Sequence, residues 1–419
     1  MRPDPITATV ARNLCTGCGA CAGAFPEAIR MVDDPVNGRR PVVAATAEGR
    51  AAAVRAAGLC AGAVTDWRDL ERRDEIEGDW GPVLAAWEGW AADTEIRHRG
   101  SSGGAVTALG LFALETGRAE GVAHVAARPD DPRLNGAVIS RDRAELLRGA
   151  GSRYAQASPA ESLGPIARGD DRIVFVGKPC DVASAQKAMQ ADAALAVNEP
   201  LTIAIFCAGQ PNLNATERLL GRLGVQKGAR LTDLRYRGEG WPGLMQARWL
   251  DEKGFERESD AIPYAEGWGE ILQSGRRWRC RVCADHAGAF ADISVGDPWH
   301  APPEGDTDAG RSLIVARTPR GKAFIEDALR SGALVAEPRS RDVIARAQPN
   351  LRTTHGAAWG RRIAMRALGL AAPRDRGQGL FRLWLGLPTR QKLQSIAGTW
   401  KRVVRERLWR PVRVAGDGR

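Results

Sequence analysis

The chain contains 419 residues, of which 44% are hydrophobic and 26% are charged, as in a globular protein with enough length for two or three domains. No stretch reaches the roughly 18–20 apolar residues of a transmembrane helix, and the first residues lack the apolar core of a signal peptide, so we expect a cytoplasmic protein. The net charge of +10 does not indicate nucleic-acid binding by the main body, because residues 361–419 alone carry 15 basic and three acidic residues.

The N-terminal region contains three closely spaced cysteines, namely Cys15, Cys18 and Cys21. Their spacing, Cys-x2-Cys-x2-Cys, is that of bacterial ferredoxins, in which a tight loop directs three thiolates at one 4Fe–4S cluster. Gly17 and Gly19 permit the backbone turns that such a loop requires. The spacing therefore predicts an iron–sulfur site.

The fourth ligand of this site is predicted by elimination. Phe25 stands where the ferredoxin pattern has its next cysteine, which leaves Cys60 as the remaining cysteine of the region. We therefore assign Cys60 to the first cluster. A zinc site is the alternative for the whole group, since Cys-x2-Cys pairs also form zinc ribbons, and a lone cysteine such as Cys60 is often a small buried hydrophobe.

A small-residue turn precedes the next predicted helix, which spans residues 105–116. The turn consists of Ser101, Ser102, Gly103 and Gly104. Small residues at a helix start leave backbone N–H groups exposed, and the helix dipole favours a phosphate there. The turn is a candidate anion site, with an ordinary helix start as the alternative. Predicted strands follow at 121–126 and 136–139, and then a short helix at 145–147.

The region from about 170 to 335 has an alternating pattern typical of an α/β fold. Strands are predicted at 172–177, 201–207 and 312–317, and helices near 182–191, 214–223 and 321–331. Cys180 and Cys207 follow two of these strands. Parallel strands that end at one sheet edge would bring the two cysteines together, with Cys280 and Cys283 closing over them as a second four-thiolate site.

The C-terminal segment is basic and contains a predicted amphipathic helix at 389–409. Its apolar residues recur at helical spacing and are Leu393, Ile396, Ala397, Trp400, Val403, Val404 and Leu408. Three explanations remain open: packing on the protein's own body, contact with an anionic membrane surface, or docking to an acidic partner or nucleic acid.

Several sequence blocks resemble the beta subunits of coenzyme F420-reducing hydrogenase and their relatives. These blocks are Gly177-Lys178-Pro179-Cys180, Phe206-Cys207-Ala208-Gly209, Cys280 to Trp299, Ser101 to Gly104, Gly151 to Tyr154, and Tyr236 to Gly243. They occur in the order of the family and cover about residues 10 to 335. The family also includes reductases of chlorophyll intermediates, so the resemblance does not identify a substrate.

The resemblance implies FAD and 4Fe–4S clusters, of which we expect two. The Ser101–Gly104 turn is then assigned to the FAD pyrophosphate, together with Ser152. Arg153 is expected to pair with a phosphate, Tyr154 to stack on an aromatic ring, and Lys178 to contact flavin or phosphate. Two weak candidates for a catalytic role are His286, as a proton donor expected at the surface, and Asp297.

We expect an α/β fold in which a small N-terminal iron–sulfur module precedes an α/β flavin-binding body and a helical basic tail. The predicted boundaries are 1–72 for the module, 73–168 and 169–338 for the two parts of the body, and 339–419 for the tail. The tail makes a peripheral location at the inner membrane face an open possibility.

The predicted function is that of a flavin iron–sulfur oxidoreductase. Electrons would move between a ferredoxin-like carrier or a deazaflavin coenzyme and a small-molecule two-electron substrate. A first alternative is the electron-transfer (diaphorase) subunit of a hydrogenase or dehydrogenase complex. A second alternative, of a different class, is a zinc-stabilised nucleic-acid-binding protein.

Overall fold

The computed structural model describes residues 3–70, 79–301, 303 and 307–414. The described helices are α1 Pro5–Ala11, α2 Ala20–Ala24, α3 Ala47–Gly58, α4 Thr94–Arg99, α5 Ala105–Glu115, α6 Arg143–Arg148, α7 Leu163–Arg168, α8 Pro179–Ala191, α9 Ala193–Val197, α10 Leu213–Arg222, α11 Trp278–Arg281, α12 Pro319–Arg330, α13 Val343–Ala347, α14 Pro349–Ala367, α15 Leu380–Leu385 and α16 Thr389–Glu406, with a π-helical segment at Ala265–Leu272. The described strands are β1 Ile29–Asp34, β2 Gly38–Val43, β3 Val64–Asp66, β4 Ala85–Ala91, β5 Gly121–Ala127, β6 Asn135–Ser140, β7 Ile173–Gly177, β8 Leu201–Ile205, β9 Arg230–Arg235, β10 Trp241–Pro242, β11 Leu244–Leu250, β12 Glu256–Glu258, β13 Ile262–Pro263, β14 Ile293–Gly296, β15 Thr307–Asp308, β16 Ser312–Ala316, β17 Leu334–Arg339 and β18 Arg374–Arg376.

An eight-stranded mixed sheet organises the main body, in the order β17-β4-β16-β14-β8-β7-β5-β6. Its four central strands, β14, β8, β7 and β5, are parallel, and the strands outside them pair antiparallel. All five residues of β7 are buried, as expected for a central strand that is covered on both faces. The carboxyl ends of the four parallel strands therefore meet at one edge of the sheet.

Helices cover both faces of this sheet. On one face, Leu109 and Phe112 of α5 pack with Phe324 of α12 in one hydrophobic core, where the rings of Phe112 and Phe324 lie 5.3 Å apart. On the other face, Phe175 of β7 packs with Val182 of α8 in a second core. This layering confirms the α/β prediction.

The N-terminal module packs directly on the body. Cys18, Ala20 and Leu59 belong to the same core as Phe175 and Val182. The predicted boundary between the module and the body, at 72/73, lies outside the described residues.

The C-terminal segment is largely integrated into the body. Leu351 of α14 is buried beside Val343 and Ile344 of α13, and β18 pairs in parallel with β3 of the N-terminal module. The predicted helix at 389–409 is present as α16, and it packs on α14. Among the helices of the described residues, none combines the length and apolar character that crossing a bilayer requires.

The other predicted elements agree closely with the structure. The helix predicted at 105–116 is α5, and the strands predicted at 172–177 and 201–207 are β7 and β8, which are parallel neighbours. The helix predicted near 182–191 begins earlier, as α8, so that Cys180 lies in its first turn. Pro179 explains the early start of α8, because proline is favoured at the first helical position.

Candidate functional site

Four cysteines of the N-terminal module line one small cavity of about 20 Å³. This first cysteine group consists of Cys15, Cys18, Cys21 and Cys60. Cys60 follows α3 and reaches the same cavity as the Cys15–Cys21 loop, in agreement with its assignment by elimination. The structure thus brings the four residues together, while their role as ligands remains a proposal.

The loop that carries the first cysteine group depends on glycine. Gly17 and Gly19 have φ angles of +78° and +89°, which are strained for residues with a side chain. A Cβ atom on Gly17 would also lie 2.8 Å from the Arg39 carbonyl oxygen. Phe25, at the end of α2, lies under the guanidinium of Arg55, 4.9 Å from its ring centre, and so has a packing role.

The thiols of the first cysteine group are buried and influence one another. Burial raises the pKa of Cys60 to about 12, and the charges of Cys18 and Cys15 add to this effect. Burial likewise raises the pKa of Cys21 well above its ordinary value, followed by repulsion from Cys18. Because thiolate is the form that binds metal, such a group is suited to a cationic metal centre that stabilises the deprotonated form.

The second cysteine group consists of Cys180, Cys207, Cys280 and Cys283. Cys180 follows β7 and Cys207 follows β8, so the parallel strands bring both to the same sheet edge. The backbone N–H of Gln210 donates to Cys280 Sγ at 3.4 Å. Cys280 and Cys283 both raise the pKa of Cys207, after the larger effect of burial. The four residues are therefore neighbours, as predicted.

The two cysteine groups share neighbouring residues. Ser184 of α8 accepts a hydrogen bond from the Ala61 N–H at 3.1 Å, next to Cys60, and α8 also carries Cys180. The Arg279 Nε atom donates to the Gly62 carbonyl at 2.8 Å, and Arg279 is electrostatically coupled to Cys283. One helix and one arginine thus connect the two groups.

The donor atoms of the two cysteine groups are all thiol sulfurs. Within the described ranges, no set of three or more His, Cys, Asp or Glu side chains is spaced for one metal ion. Soft thiolates are the usual ligands of iron–sulfur clusters.

A larger cavity of about 280 Å³ opens at the carboxyl edge of the parallel strands. It is lined by residues that follow three of these strands, including Lys178 after β7, Cys207 after β8 and Asp297 after β14. Ligands of α/β proteins bind at this edge of the sheet. Cys207 therefore belongs to the second cysteine group and also lines the cavity.

The predicted phosphate-binding turn borders the cavity. Ser101, Ser102 and Gly104 line it, and Gly104 has a φ of +71° at the start of α5. Gly103 is not part of the described lining of the cavity. Its N–H donates to Ser312 Oγ at 2.9 Å, and a Cβ atom on this residue would approach the backbone of the sheet. Ser152 also lines the cavity, and its backbone N–H donates to Ser101 Oγ.

The three larger residues predicted to contact the cofactor also line the cavity, but two are engaged with protein groups. Arg153 donates from Nη1 to the Leu234 carbonyl at 2.6 Å and from Nε to Asn135 at 3.0 Å. Lys178 Nζ donates to Asp181 Oδ2 at 2.6 Å. Their contacts with phosphate or flavin remain predictions.

An aromatic wall, of which the sequence assigned only Tyr154, lines one side of the cavity. It consists of Tyr154, Tyr264, Trp268 and Trp299. Tyr264 stacks on Trp299 with ring centres 5.5 Å apart, and Tyr154 packs on Trp268 at 4.6 Å. Such faces can hold a planar ring. Trp299 belongs to a recognisable sequence block, whereas Tyr264 and Trp268 carry no sequence signal of their own.

Arg237 links the aromatic wall to Asp297. Its guanidinium lies 4.9 Å from the Tyr264 ring centre and pairs with the Asp297 carboxylate, which also accepts from Trp241 Nε1 at 2.9 Å. Asp297 thus reaches the cavity as part of an ion pair. The sequence block around Arg237 is recognisable, but it does not indicate this role for the residue.

The expectation of a surface position for His286 is wrong, because the residue is 3% exposed. Its Nδ1 atom lies 2.8 Å from the Cys207 carbonyl oxygen, and burial lowers its pKa to about 4. The described lining of the cavity does not include His286. The imidazole therefore supports the Cys207 loop, and its proposed role as a proton donor has no support from its position.

Four arginines lie near the second cysteine group, namely Arg276, Arg281, Arg361 and Arg402. Arg276 Nη1 donates to the Ala208 carbonyl at 2.9 Å, beside Cys207. Burial, followed by repulsion from the other arginines, lowers the pKa of Arg281 and of Arg361 to about 10. This arginine cluster places positive charge next to the second cysteine group.

Comparisons with known proteins identify relatives of the chain. Two family models of the coenzyme F420 hydrogenase/dehydrogenase beta subunit match it, the C-terminal model over residues 170–342 and the N-terminal model over residues 86–163. The chain is 24% identical over 251 residues to coenzyme F420 hydrogenase subunit beta of Methanococcus voltae, covering 58% of this chain and 80% of that one. It is 25% identical over 260 residues to the subunit of the same name from Methanosarcina barkeri (strain Fusaro / DSM 804), covering 59% and 79%.

A solved structure shares the fold. It is a chain of the xenon-derivatised F420-reducing NiFe hydrogenase complex from Methanosarcina barkeri, with a TM-score of 0.54 and 20% sequence identity. The match covers 71% of this chain and 97% of the other.

Proposed function

Because the chain belongs to the coenzyme F420 hydrogenase/dehydrogenase beta-subunit family, we propose that it is an oxidoreductase that holds FAD and two 4Fe–4S clusters. The family supports the broad role of electron transfer. When bound, a cluster exchanges single electrons and a flavin one or two, so that a one-electron carrier can be connected to a two-electron substrate.

The position of Cys207 is the observation that carries this proposal. Cys207 belongs to the second cysteine group and lines the 280 Å³ cavity. A metal centre held by Cys207 and a ring held by the aromatic wall would be close neighbours. Ser184 and Arg279 lie between the first cysteine group and the second. The first group is thus separated from the cavity by the second, which favours its role as the entry point for electrons.

The cavity offers surfaces for two parts of FAD, the pyrophosphate in its middle and the isoalloxazine ring at one end. The Ser101–Gly104 turn would hold the pyrophosphate, because the N–H groups at the start of α5 and its dipole favour an anion. The aromatic wall and Arg237 would hold the planar ring, because aromatic faces stack on such rings. The cavity is near the lower end of the size range of ligand sites.

Purification without oxygen, followed by visible spectroscopy and metal analysis, tests the proposal. We expect flavin absorption bands, a broad iron–sulfur shoulder and about eight iron atoms per chain. A colourless protein that contains zinc would contradict the proposal and favour the zinc-stabilised alternative.

A second candidate function is that of an electron-transfer subunit within a larger complex. It is favoured by the comparisons, since the relatives are named as hydrogenase subunits. Turnover separates the two candidates. An autonomous reductase should oxidise reduced ferredoxin in the presence of an organic substrate, whereas a diaphorase subunit should exchange electrons with a deazaflavin coenzyme and need a further subunit for net chemistry.

A further inference from the structure

Exposed apolar side chains are concentrated at the C-terminal end of the described chain. Of the 13 large apolar side chains that are exposed among the described residues, seven lie beyond residue 367. These seven are Leu368, Phe381, Leu385, Leu393, Trp400, Val404 and Trp409. Exposed apolar side chains that are concentrated in one segment indicate an interaction site more strongly than scattered single residues do.

The helix α16 packs on the body through its less apolar side. Its buried residues are Ser395, Thr399 and Val403, which are four residues apart and form one face. Ser395 accepts a hydrogen bond from Trp384 Nε1 at 3.0 Å, and its own hydroxyl donates to the Lys392 carbonyl at 2.6 Å. Contact with the body therefore uses two hydroxyl residues and Val403, and leaves Leu393, Trp400 and Val404 exposed.

The opposite side of α16 presents an apolar ridge, which consists of Leu393, Ala397, Trp400 and Val404. The side chains of Leu393 and Val404 are each 63% exposed, and that of Trp400 is 49% exposed. The spacing of four, three and four residues places them in one line along the helix.

A basic flank borders this ridge. It consists of Arg390, Lys401 and Arg405, all exposed and all displaced to the same side of the ridge by the helical geometry. Glu406, the acidic residue of α16, pairs with Arg402 and also with Arg405 of the flank, which leaves Arg390 and Lys401 as the other two cations of the flank. The wider segment 361–419 has 15 basic and three acidic residues, whereas residues 1–360 are nearly neutral.

We propose that the apolar ridge and the basic flank of α16 bind the surface of an anionic lipid bilayer. A helix with apolar residues on one line and cations beside it lies in the interface between headgroups and acyl chains. Trp400 suits this depth, because its ring is apolar with one polar N–H group. The cations of the flank attract anionic headgroups.

Charge favours a bilayer over a second copy of the chain. Two copies that meet through this face would bring two segments of net charge +12 together, and the repulsion would oppose association. The ridge is also flanked by exposed cations on one side, which suits an anionic surface. The family models end at residue 342, so this surface lies outside the part of the chain that the family shares.

Vesicle sedimentation with the full-length protein tests the proposal. We use vesicles of phosphatidylcholine, with and without phosphatidylglycerol, and expect strong binding only when phosphatidylglycerol is present. High salt should weaken this binding. Equal binding to both vesicle types, or no binding to either, would overturn the proposal.

Point substitutions are preferable to deletion, because α14 and β18 of the same segment are buried in the body. The ridge variant Leu393→Ser/Trp400→Ser/Val404→Ser should bind anionic vesicles about tenfold less tightly or worse. The flank variant Arg390→Gln/Lys401→Gln/Arg405→Gln should bind about a hundredfold less tightly. Both variants change exposed residues, and circular dichroism checks that they fold.

Matched control variants carry equivalent changes elsewhere on the surface. Phe255 and Val335 are 63% and 46% exposed, so Phe255→Ser/Val335→Ser controls for lost apolar surface. Lys227→Gln/Lys253→Gln controls for lost charge. Equal losses in the controls would overturn the proposal. So would light scattering that shows a dimer which only the ridge variant dissociates, together with no vesicle binding.

Discussion

The side chains of Arg237 and Asp297 form a two-point ion pair at the edge of the central cavity, with Nη2–Oδ1 and Nη1–Oδ2 distances of 2.7 and 3.0 Å. The Arg237 side chain is only 3% exposed, and that of Asp297 is 18% exposed. The aromatic rings of Tyr264 and Trp299 lie next to the guanidinium. The ion pair thus holds the Arg237 guanidinium against Tyr264 and Trp299 of the aromatic wall.

Loss of the Asp297 charge should destabilise the protein strongly. Asp297→Asn leaves the buried guanidinium of Arg237 without its counter-charge, which costs about 3 kcal/mol in the free energy of unfolding. Urea denaturation measures the loss. The control is Asp233→Asn, because the pair of Asp233 with Arg248 is about half exposed and should contribute less than about 1 kcal/mol. Similar losses in both variants would show that the Arg237–Asp297 pair contributes no more to the free energy of unfolding than the exposed pair does.

Cys60 and Cys207 provide a matched test of the two cysteine groups. Cys60→Ser and Cys207→Ser should each lower the iron content from about eight to about four atoms per chain. Only Cys207→Ser should change the flavin absorption spectrum, because Cys207 lines the cavity. Thr16→Ala, in the same loop as Cys15, is the control and should keep all its iron. Full iron content in Cys60→Ser would refute the ligand role that elimination assigned to Cys60.

His355 should make the protein less stable in mild acid. Burial lowers its pKa to about 3, with smaller effects from His286 and Arg362 and an opposing hydrogen bond at Asp79. The unfolded chain takes up this proton below about pH 6.5, so the free energy of unfolding falls by about 1.4 kcal/mol per pH unit from 6.5 toward 3.

His355→Gln isolates this effect. Between pH 6.5 and 4.5 the variant should lose about 2–3 kcal/mol less stability than the wild type. Denaturation at pH 8, where the imidazole is neutral in both states, supplies the baseline for any other effect of the substitution. Parallel pH profiles of the two proteins would show that His355 does not titrate in this way.

The arginine cluster should raise the reduction potential of a metal centre held by the second cysteine group. Added electrons are stabilised by nearby positive charge, and Arg276 lies beside Cys280 and Cys207. Arg276→Gln should therefore lower the midpoint potential by about 40 mV, equivalent to about 1 kcal/mol for one electron. A redox titration followed by electron paramagnetic resonance measures it. Arg257→Gln is the control, because Arg257 is exposed on β12; identical shifts would exclude a local effect.

The strands and the first cysteine loop could be predicted because their signals are local. β7 and β8 are short apolar runs that follow turn residues, and their parallel pairing places Cys180 and Cys207 together. Likewise, Gly17 and Gly19 adopt the positive φ angles that the spacing of the cysteines requires. In both cases a few adjacent residues contain all the necessary information.

Apart from Tyr154, the aromatic wall could not be predicted, and neither could the orientation of α16, because both depend on contacts between distant residues. Tyr264 follows β13 and Trp299 follows β14, and the two rings stack only in the folded protein. Helical periodicity identified an apolar stripe in α16, but the same periodicity is compatible with either side facing the body. The packing of α16 on α14 determines that Ser395 and Thr399 are buried and that Trp400 is exposed.

The pairing of β3 with β18 has a consequence for the order in which the protein forms on the ribosome. Val64–Asp66 pair with Arg374–Arg376, and Thr65 contacts Asp375 across 310 positions. The strand that neighbours Cys60 therefore obtains this partner only after most of the chain has been translated. During synthesis, β3 therefore has no β18 to pair with until the carboxyl-terminal segment has left the ribosome.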